Sequence, residues 1–263
     1  MSSAPASPTS YLTLLDALAA KEGFSVSPTA EQTVGYCLEL GNLRIDFDRM
    51  EDSLVRYWLV IDSDARNDSA VGLVLKKFLV VYTEDNTVLR VHAYRERVFQ
   101  LTNAVLALGL PEKPEKWQKL SFNDEVSRIL RDRGHVTLRR HLESLTVNKA
   151  PAIREALDRR NEFVHRLPSR EWMSLKSGAQ LQEWLDVDWD TEKFRSKDPA
   201  YVQLEADNLQ RKWGFVLDFI KSVATELDTF EERFCMLLYA AYSGWKEELC
   251  AFLYEAYPGD SAE

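Results

Sequence analysis

An arginine and a histidine five positions apart are the residues of this chain best suited to chemistry. Arg160 is followed directly by Asn161, and His165 completes the string Arg-Asn-Glu-Phe-Val-His. Histidine exchanges protons near neutral pH, and the planar guanidinium of arginine suits phosphate oxygens. Such a pair can do acid and base chemistry on a phosphodiester without a metal. With four histidines in the chain the spacing alone is a weak signal, so the setting must decide.

The segment that carries the pair is predicted to be a helix over residues 151–167, opened by Pro151 and ended by Pro168. Five residues rotate a side chain by about 140° beyond a full turn, so Arg160 and His165 do not share one face of a regular helix. They can converge where the helix frays ahead of Pro168, or across a two-fold axis that joins two copies. A symmetric dimer would bring two histidines and two arginines to one cleft.

The elements around this helix are also predicted to be helical. Apolar residues recur at helical spacing over 11–20, 28–61, 121–133, 136–145, 201–227 and 229–257. Residues 71–82 suit a strand or a buried helix, and helix is favoured because nothing nearby offers a hairpin partner. Asp85 is expected to start a new helix that runs to Leu108, and Ser121 with Asp124 forms a capping pair. The fold class is therefore an all-α helical bundle.

Four segments are predicted along the chain. Residues 1–9 form a disordered N-terminus, 10–228 the helical bundle, 229–257 a C-terminal helical extension packed on the bundle, and 258–263 a disordered tail. The bundle thus carries extra helices at both ends.

Composition limits the partners and the compartment. The net charge of -9 argues against a broad basic surface for duplex DNA, so any nucleic-acid contact must be local. No apolar run reaches the ~18 residues that span a bilayer, and the start lacks a leader pattern, so we expect a cytoplasmic protein without a membrane partner. Cys37, Cys235 and Cys250 lack ligand spacing and are expected to be buried or idle thiols, with no metal and no cofactor.

Arginines concentrate in two stretches of the chain. The first comprises Arg128, Arg131, Arg133, Arg139 and Arg140, and the second Arg154, Arg159, Arg160, Arg166 and Arg170. They are either local nucleic-acid contacts or solvated helix faces paired with neighbouring acids.

An alternating acidic run is the one pattern that suggests calcium. Asp186, Asp188 and Asp190 have the spacing of a calcium loop, but Thr191 stands where the turn glycine belongs and Lys197 where the bidentate glutamate belongs. The run is therefore interpreted as an acidic loop.

The motif helix, its Arg-Asn-x-x-x-His string and the upstream helix with Tyr-Arg-Glu-Arg-Val-Phe-Gln-Leu-Thr-Asn at 94–103 resemble the HEPN superfamily. The similarity is greatest to prokaryotic helical HEPN proteins in which an upstream Tyr-Arg helix packs against the motif helix. It covers residues 30–225, with its specificity in these two helices.

The resemblance implies a metal-independent endoribonuclease that cleaves RNA by 2′-OH transesterification at a composite site of a homodimer, joined through the motif helices. Toxin activity or phage defence is the implied setting. Arg160 takes the motif arginine, Asn161 the polar position and His165 the motif histidine. Candidates for substrate binding are Arg159, Arg166, Arg95 and Tyr94. Exposed helix charges are the alternative for the first two, and a core role for the last two.

One departure from the family concerns regulation. Some HEPN toxins carry a tyrosine two residues after the histidine, which a partner antitoxin modifies, and here Leu167 occupies that position. This disfavours modification there and leaves open an antitoxin or regulatory protein that acts by another route. The alternative function is a non-catalytic HEPN-like module that binds a nucleotide or a protein partner.

Overall fold

The computed structural model describes residues 7–22, 28–64, 69–110, 121–145, 150–166 and 199–243, and for 160–166 it describes the backbone helix without the side chains. All regular secondary structure in these ranges is helical, and they contain no strand. The predicted all-α fold class is confirmed.

Seven helices make up this described part of the chain. They are α1 (Tyr11–Glu22), α2 (Pro28–Asp64), α3 (Ser69–Val105), α4 (Phe122–Asp132), α5 (Val136–Glu143), α6 (Pro151–Arg166) and α7 (Pro199–Ala241). At 1.5 Å per residue α2 and α3 are each about 55 Å long and α7 about 65 Å. Within the described residues, no helix has both the length and the apolar composition needed to cross a bilayer.

The α3 helix differs from its prediction in having no start at Asp85. Residues 71–82 are helical, as favoured, and the same helix continues to Val105. The hydroxyl of Thr83 donates to the carbonyl of Leu79 at 2.7 Å, and that of Thr87 donates to the carbonyl of Thr83 at 2.8 Å. These bonds to the preceding turn satisfy polar side chains inside the helix, so the polar stretch around Asp85 does not interrupt it.

The α7 helix runs through the predicted boundary at residue 228. The expectation of two helices, 201–227 and 229–257, is wrong up to Ala241, because one helix covers this stretch. Leu227, Phe230, Phe234 and Leu238 are all buried, and their spacing continues one apolar stripe across the boundary. Residues 244–263 and 1–6, which include most of the predicted disordered ends, lie outside the described residues.

The chain divides into two compact units. Unit 1 comprises Met1–Arg44, Ala93–Pro151 and Glu226–Glu263, and unit 2 comprises Ile45–His92 and Ala152–Thr225. The long helices α2, α3 and α7 each contribute to both units, whereas α6 belongs to unit 2 from Ala152 onward.

Unit 1 is built around a buried pair of tyrosines. The hydroxyls of Tyr11 and Tyr94 are hydrogen-bonded at 2.5 Å, and the Tyr11 ring also contacts Phe234. The Tyr11 backbone amide donates to Oε1 of Glu231 at 3.0 Å. Burial raises the pKa of both tyrosines well above the usual value and also raises the pKa of Glu231. The hydroxyl pair is therefore protonated at neutral pH and acts as a structural contact.

Two of the three cysteines lie in the core, as expected. Cys37 and Cys235 are buried and free, and Cys250 lies outside the described residues. Burial raises the pKa of Cys37 to about 12, and it raises the pKa of Cys235 as well. Both thiols are therefore protonated at neutral pH and unsuited to nucleophilic chemistry.

The α4 helix starts at the predicted capping pair. The Ser121 hydroxyl accepts from the Asp124 amide at 3.3 Å, and the Ser121 amide donates to Oδ2 of Asp124 at 3.3 Å. Both halves of the capping box are present, so the prediction is confirmed. At the other end Gly134 has a φ of +81°, which turns the chain into α5.

Unit 2 has its own apolar core between α2, α3 and α7. Its buried members are Leu54, Trp58, Val80, Val216 and Ile220. The rings of Trp58 and Trp213 lie 5.2 Å apart, and the ammonium of Lys76 sits 4.5 Å above the Trp58 ring. This core fixes the helices against which α6 packs.

Candidate functional site

The motif residues lie on a regular helix, as predicted. The α6 helix begins at Pro151 and ends at Arg166, one residue before the predicted end. Arg160, Asn161 and His165 occupy its last turns, and their side chains, like that of Arg166, lie outside the described residues. Their positions around the helix axis follow from the backbone.

The described part of α6 shows which rows of the helix are packed and which are exposed. Ala156 is buried, whereas Arg154 and Asp158 are exposed and pair at 3.5 Å. At 100° per residue, position 160 lies about 40° from position 156 around the helix axis, and position 165 lies about 180° from it. Position 165 lies within about 20° of positions 154 and 158. The arginine and the histidine of the motif occupy different faces.

Arg159, one residue before the motif arginine, is held within unit 2. Its guanidinium pairs with Oε1 of Glu84 on α3 and, at 2.5 Å, with Oε1 of Glu155 on α6. It also lies 5.4 Å and 5.2 Å from the ring centres of Phe215 and Phe219 on α7. Arg159 thus ties the motif helix to two neighbouring helices, and its substrate-binding role stays a prediction.

Glu84 is the acidic centre of this arrangement. Its second carboxylate oxygen pairs with Nζ of Lys212 at 3.1 Å, so one largely buried side chain joins α3 to α6 and to α7. Beside it, burial and the negative charge of Glu84 raise the pKa of Asp85 to about 6, against a smaller opposing effect of Lys212. Unit 2 therefore holds a carboxyl group whose pKa is raised well above that of an exposed aspartate.

Glu84 was not predicted as a partner of the motif helix, nor Lys212 as a partner of Glu84, and Asp85 was predicted only to start a helix. No local spacing connects Glu84, Arg159 and Lys212, which lie on three helices far apart in the chain, so only the packing of α3, α6 and α7 brings them together. The one available signal was the pair of adjacent carboxylates inside an apolar helix, which requires cationic partners from elsewhere.

Tyr94 lies in the core of unit 1. It is fully buried, its hydroxyl bonds to that of Tyr11, and its ring makes an edge contact with Phe230. Of its two sequence-based interpretations, the core role agrees with this environment.

Arg95 borders a cavity of about 330 Å³ in unit 1. Three arginines of the first arginine stretch also line this cavity, so its four arginines are Arg95, Arg128, Arg131 and Arg139. We call it the arginine cavity. It joins residues of α3, α4 and α5 that the sequence analysis had treated separately.

The expectation that the chain binds no metal stays a prediction. The acidic run Asp186, Asp188 and Asp190 lies outside the described residues. Within the described ranges, no three histidine, cysteine or carboxylate side chains gather closely enough to hold a metal ion.

Comparisons with known proteins gave no match, whether to a protein-family model, to a curated protein or to a solved structure. The architecture alone therefore defines the class, an all-α protein with seven helices in its described part. Assignment to the HEPN superfamily stays a prediction from the motif and its upstream helix.

Proposed function

We propose that this protein is a homodimeric, metal-independent endoribonuclease of the HEPN type, whose active site is shared between two copies. The observation that carries the proposal is the regular course of α6 through Arg166. It places positions 160 and 165 about 140° apart around the helix axis, with position 165 within about 20° of the exposed Arg154 and Asp158. In this proposal His165 faces a second copy of the helix.

The chemistry explains why two copies are needed. One neutral histidine takes the proton of the ribose 2′-OH, whose oxygen then forms a bond to the neighbouring phosphorus. The bond from phosphorus to the 5′-oxygen breaks, and a protonated histidine supplies the proton that this oxygen requires. The products are a 2′,3′-cyclic phosphate and a 5′-hydroxyl. One chain offers one motif histidine, and a two-fold pairing of α6 offers the second.

The other motif residues take supporting roles in this proposal. The Arg160 guanidinium binds the non-bridging phosphate oxygens and stabilises the additional charge of the phosphorane. Asn161 hydrogen-bonds the phosphate or fixes the tautomer of the histidine. Arg166 holds a neighbouring phosphate, and Arg159, engaged by Glu84 and Glu155, keeps the helix in place.

The proposed substrate is single-stranded or structured RNA, contacted locally because the chain is acidic overall. Toxin activity or phage defence in the cytoplasm is the proposed setting. An antitoxin or regulatory protein would act by a route other than tyrosine modification at position 167, where the chain has leucine.

Cleavage of a defined RNA pool in EDTA tests the proposal. Wild type should cleave and leave cyclic phosphate ends, whereas His165→Ala should lose on the order of 100-fold or more of the rate, because a general acid and base is removed. Arg160→Ala should lose activity as well. His135→Ala is the matched control, since this helix-capping histidine makes no side-chain cap bond.

Equal cleavage by wild type and His165→Ala would overturn the assignment. An equal loss in the folded His135→Ala variant would do the same, because the effect would then not be specific to the motif. Circular dichroism of each variant checks that the helices are intact.

A non-catalytic HEPN-like module is the second candidate, and the net charge of -9 favours it. Such a module would bind a nucleotide or a protein partner without turnover. RNA or nucleotide binding that depends on Arg160, with no cleavage in EDTA or in magnesium, would select this candidate.

A further inference from the structure

The arginine cavity of unit 1 is a polar space built by three helices. Arg95 comes from α3, Arg128 and Arg131 from α4, and Arg139 from α5. Its volume of about 330 Å³ is at the lower end of the range for small-molecule sites. The space is large enough for a phosphate group with a sugar-sized substituent.

The lining of the cavity holds more arginines than carboxylates. Two carboxylates also line it, Asp124 and Glu143, so the four arginines outnumber the acids by two. Asp124 is occupied by the capping box, where its Oδ2 accepts from the Ser121 hydroxyl at 2.7 Å and from the Ser121 amide at 3.3 Å. Glu143 pairs with Arg139 at 3.5 Å.

One buried guanidinium donor of the cavity makes no hydrogen bond within the described residues. This donor is Arg139 Nε, which forms an ion pair with Oε1 of Glu143 at 3.5 Å but no hydrogen bond. Arg131 uses Nε on Asp132 at 3.3 Å, and Arg128 uses Nε and Nη1 on Glu125 and Asp132. Buried donors without acceptors are costly, and an anion in the cavity would supply acceptors.

The helices that carry these arginines are fixed in position. The capping box starts α4, and the positive φ of Gly134 closes the short turn to α5. Arg133, between them, donates from Nη1 to the carbonyl of Leu106 at 3.0 Å, which fastens the turn to the chain beyond α3. The arginines are therefore presented by a preorganised frame.

We propose that the arginine cavity binds a phosphate monoester group. Guanidinium groups present paired donors to the oxygens of a phosphate, and a phosphate oxygen would accept from the buried Nε of Arg139. A phosphate site would give a function to the first arginine stretch, which the proposed ribonuclease chemistry does not use. The cavity belongs to unit 1 and the motif histidine to unit 2, so this inference does not rest on the ribonuclease proposal.

Titration of the full-length protein with inorganic phosphate, followed by isothermal calorimetry at low salt, tests the site. Wild type should show saturable binding, and Arg139→Gln and Arg131→Gln should each weaken it at least about tenfold. Arg131 is more than half exposed, so its replacement leaves the fold intact. Arg56→Gln is the matched control, because Arg56 forms an i,i+4 pair with Asp52 and does not line the cavity, so this variant should bind phosphate as wild type does.

The source of the phosphate is resolved by two further probes, ribose 5-phosphate and a short RNA with either a 5′-phosphate or a 5′-hydroxyl. Tighter binding of the sugar phosphate indicates a small metabolite-like ester, and a requirement for the 5′-phosphate on RNA indicates an RNA end. Absence of saturable phosphate binding by folded wild type overturns the proposal. An equal loss in Arg56→Gln and Arg139→Gln overturns it too.

Discussion

The hydroxyl pair of Tyr11 and Tyr94 illustrates how a single residue can look functional in sequence and be structural in the fold. Replacing Tyr94 with Phe should lower the free energy of unfolding by about 1–3 kcal/mol, because the buried Tyr11 hydroxyl loses its partner. Urea denaturation measures this. Tyr82→Phe, at a site 58% exposed, is the control and should change stability little.

A double variant completes this test. Tyr11→Phe combined with Tyr94→Phe removes both hydroxyls, so it should cost less than the sum of the two single changes. A Tyr94→Phe variant as stable as Tyr82→Phe would show that the bond contributes nothing.

Asp85 should make stability depend on pH. Its pKa is about 6 in the folded protein and 3.8 as the reference for the unfolded chain, so between these values the folded state binds more protons. Stability therefore falls as pH rises from about 4 to about 6 through this group. Asp85→Asn should raise the free energy of unfolding at pH 7.5 on the order of 1 kcal/mol, after allowance for solvent screening.

Below pH 4 the Asp85→Asn variant and wild type should have similar stability, since the aspartic acid is then protonated in both states. Denaturation at a series of pH values measures the difference. A variant that is less stable than wild type at pH 7.5 would contradict the assignment of a raised pKa.

At the scale of the elements, Glu84 is the contact that holds the motif helix to its neighbours. Glu84→Gln removes the charge that pairs with Arg159 and Lys212, and its side chain is only 17% exposed. We expect a loss of about 1–2 kcal/mol, between the values for exposed and buried pairs. Asp52→Asn, in a pair with Arg56 that is largely exposed, should cost less than about 0.5 kcal/mol.

Thermal denaturation of the two variants compares these costs directly. If Glu84→Gln and Asp52→Asn were equally stable, the bridge between α3, α6 and α7 would have no energetic role. Loss of RNA cleavage in a Glu84→Gln variant that stays folded would in addition identify Glu84 as a positioning residue.

Local signals predicted local structure well. The capping pair at Ser121 and the proline at position 151 each marked a helix start that the structure has. Both depend on hydrogen bonds or dihedral restrictions within one turn, so the nearby sequence determines them. The continuity of α3 through Asp85 and of α7 through residue 228 depends on threonine bonds to the preceding turn and on an uninterrupted buried stripe. From composition alone, the polar residues at these two places predict helix boundaries that the structure does not have.

At the scale of the whole molecule, the sequence predicted the class but not the grouping of residues. The all-α architecture follows from helical periodicity in nearly every segment. The division into two units, with three long helices in both, could not be predicted because it depends on contacts between distant segments. For the same reason, the sequence did not predict that Arg95 lies beside the arginines of α4 and α5, or that Arg159 pairs with Glu84.

The proposed ribonuclease site depends on the assembly of two chains. The regular α6 helix places positions 160 and 165 about 140° apart, and each chain supplies one motif histidine, so in this proposal one chain provides half of the acid and base chemistry. The dimer, and not the single chain, should then be the active species.

Mixing wild type with His165→Ala tests this central claim most directly. The two proteins are unfolded together, refolded so that subunits exchange at random, and assayed for RNA cleavage in EDTA at constant total protein. If both histidines are needed, an equal mixture should retain about a quarter of the wild-type rate, because only dimers of two wild-type chains are active. A rate of about half, falling linearly with the wild-type fraction, would contradict the shared site.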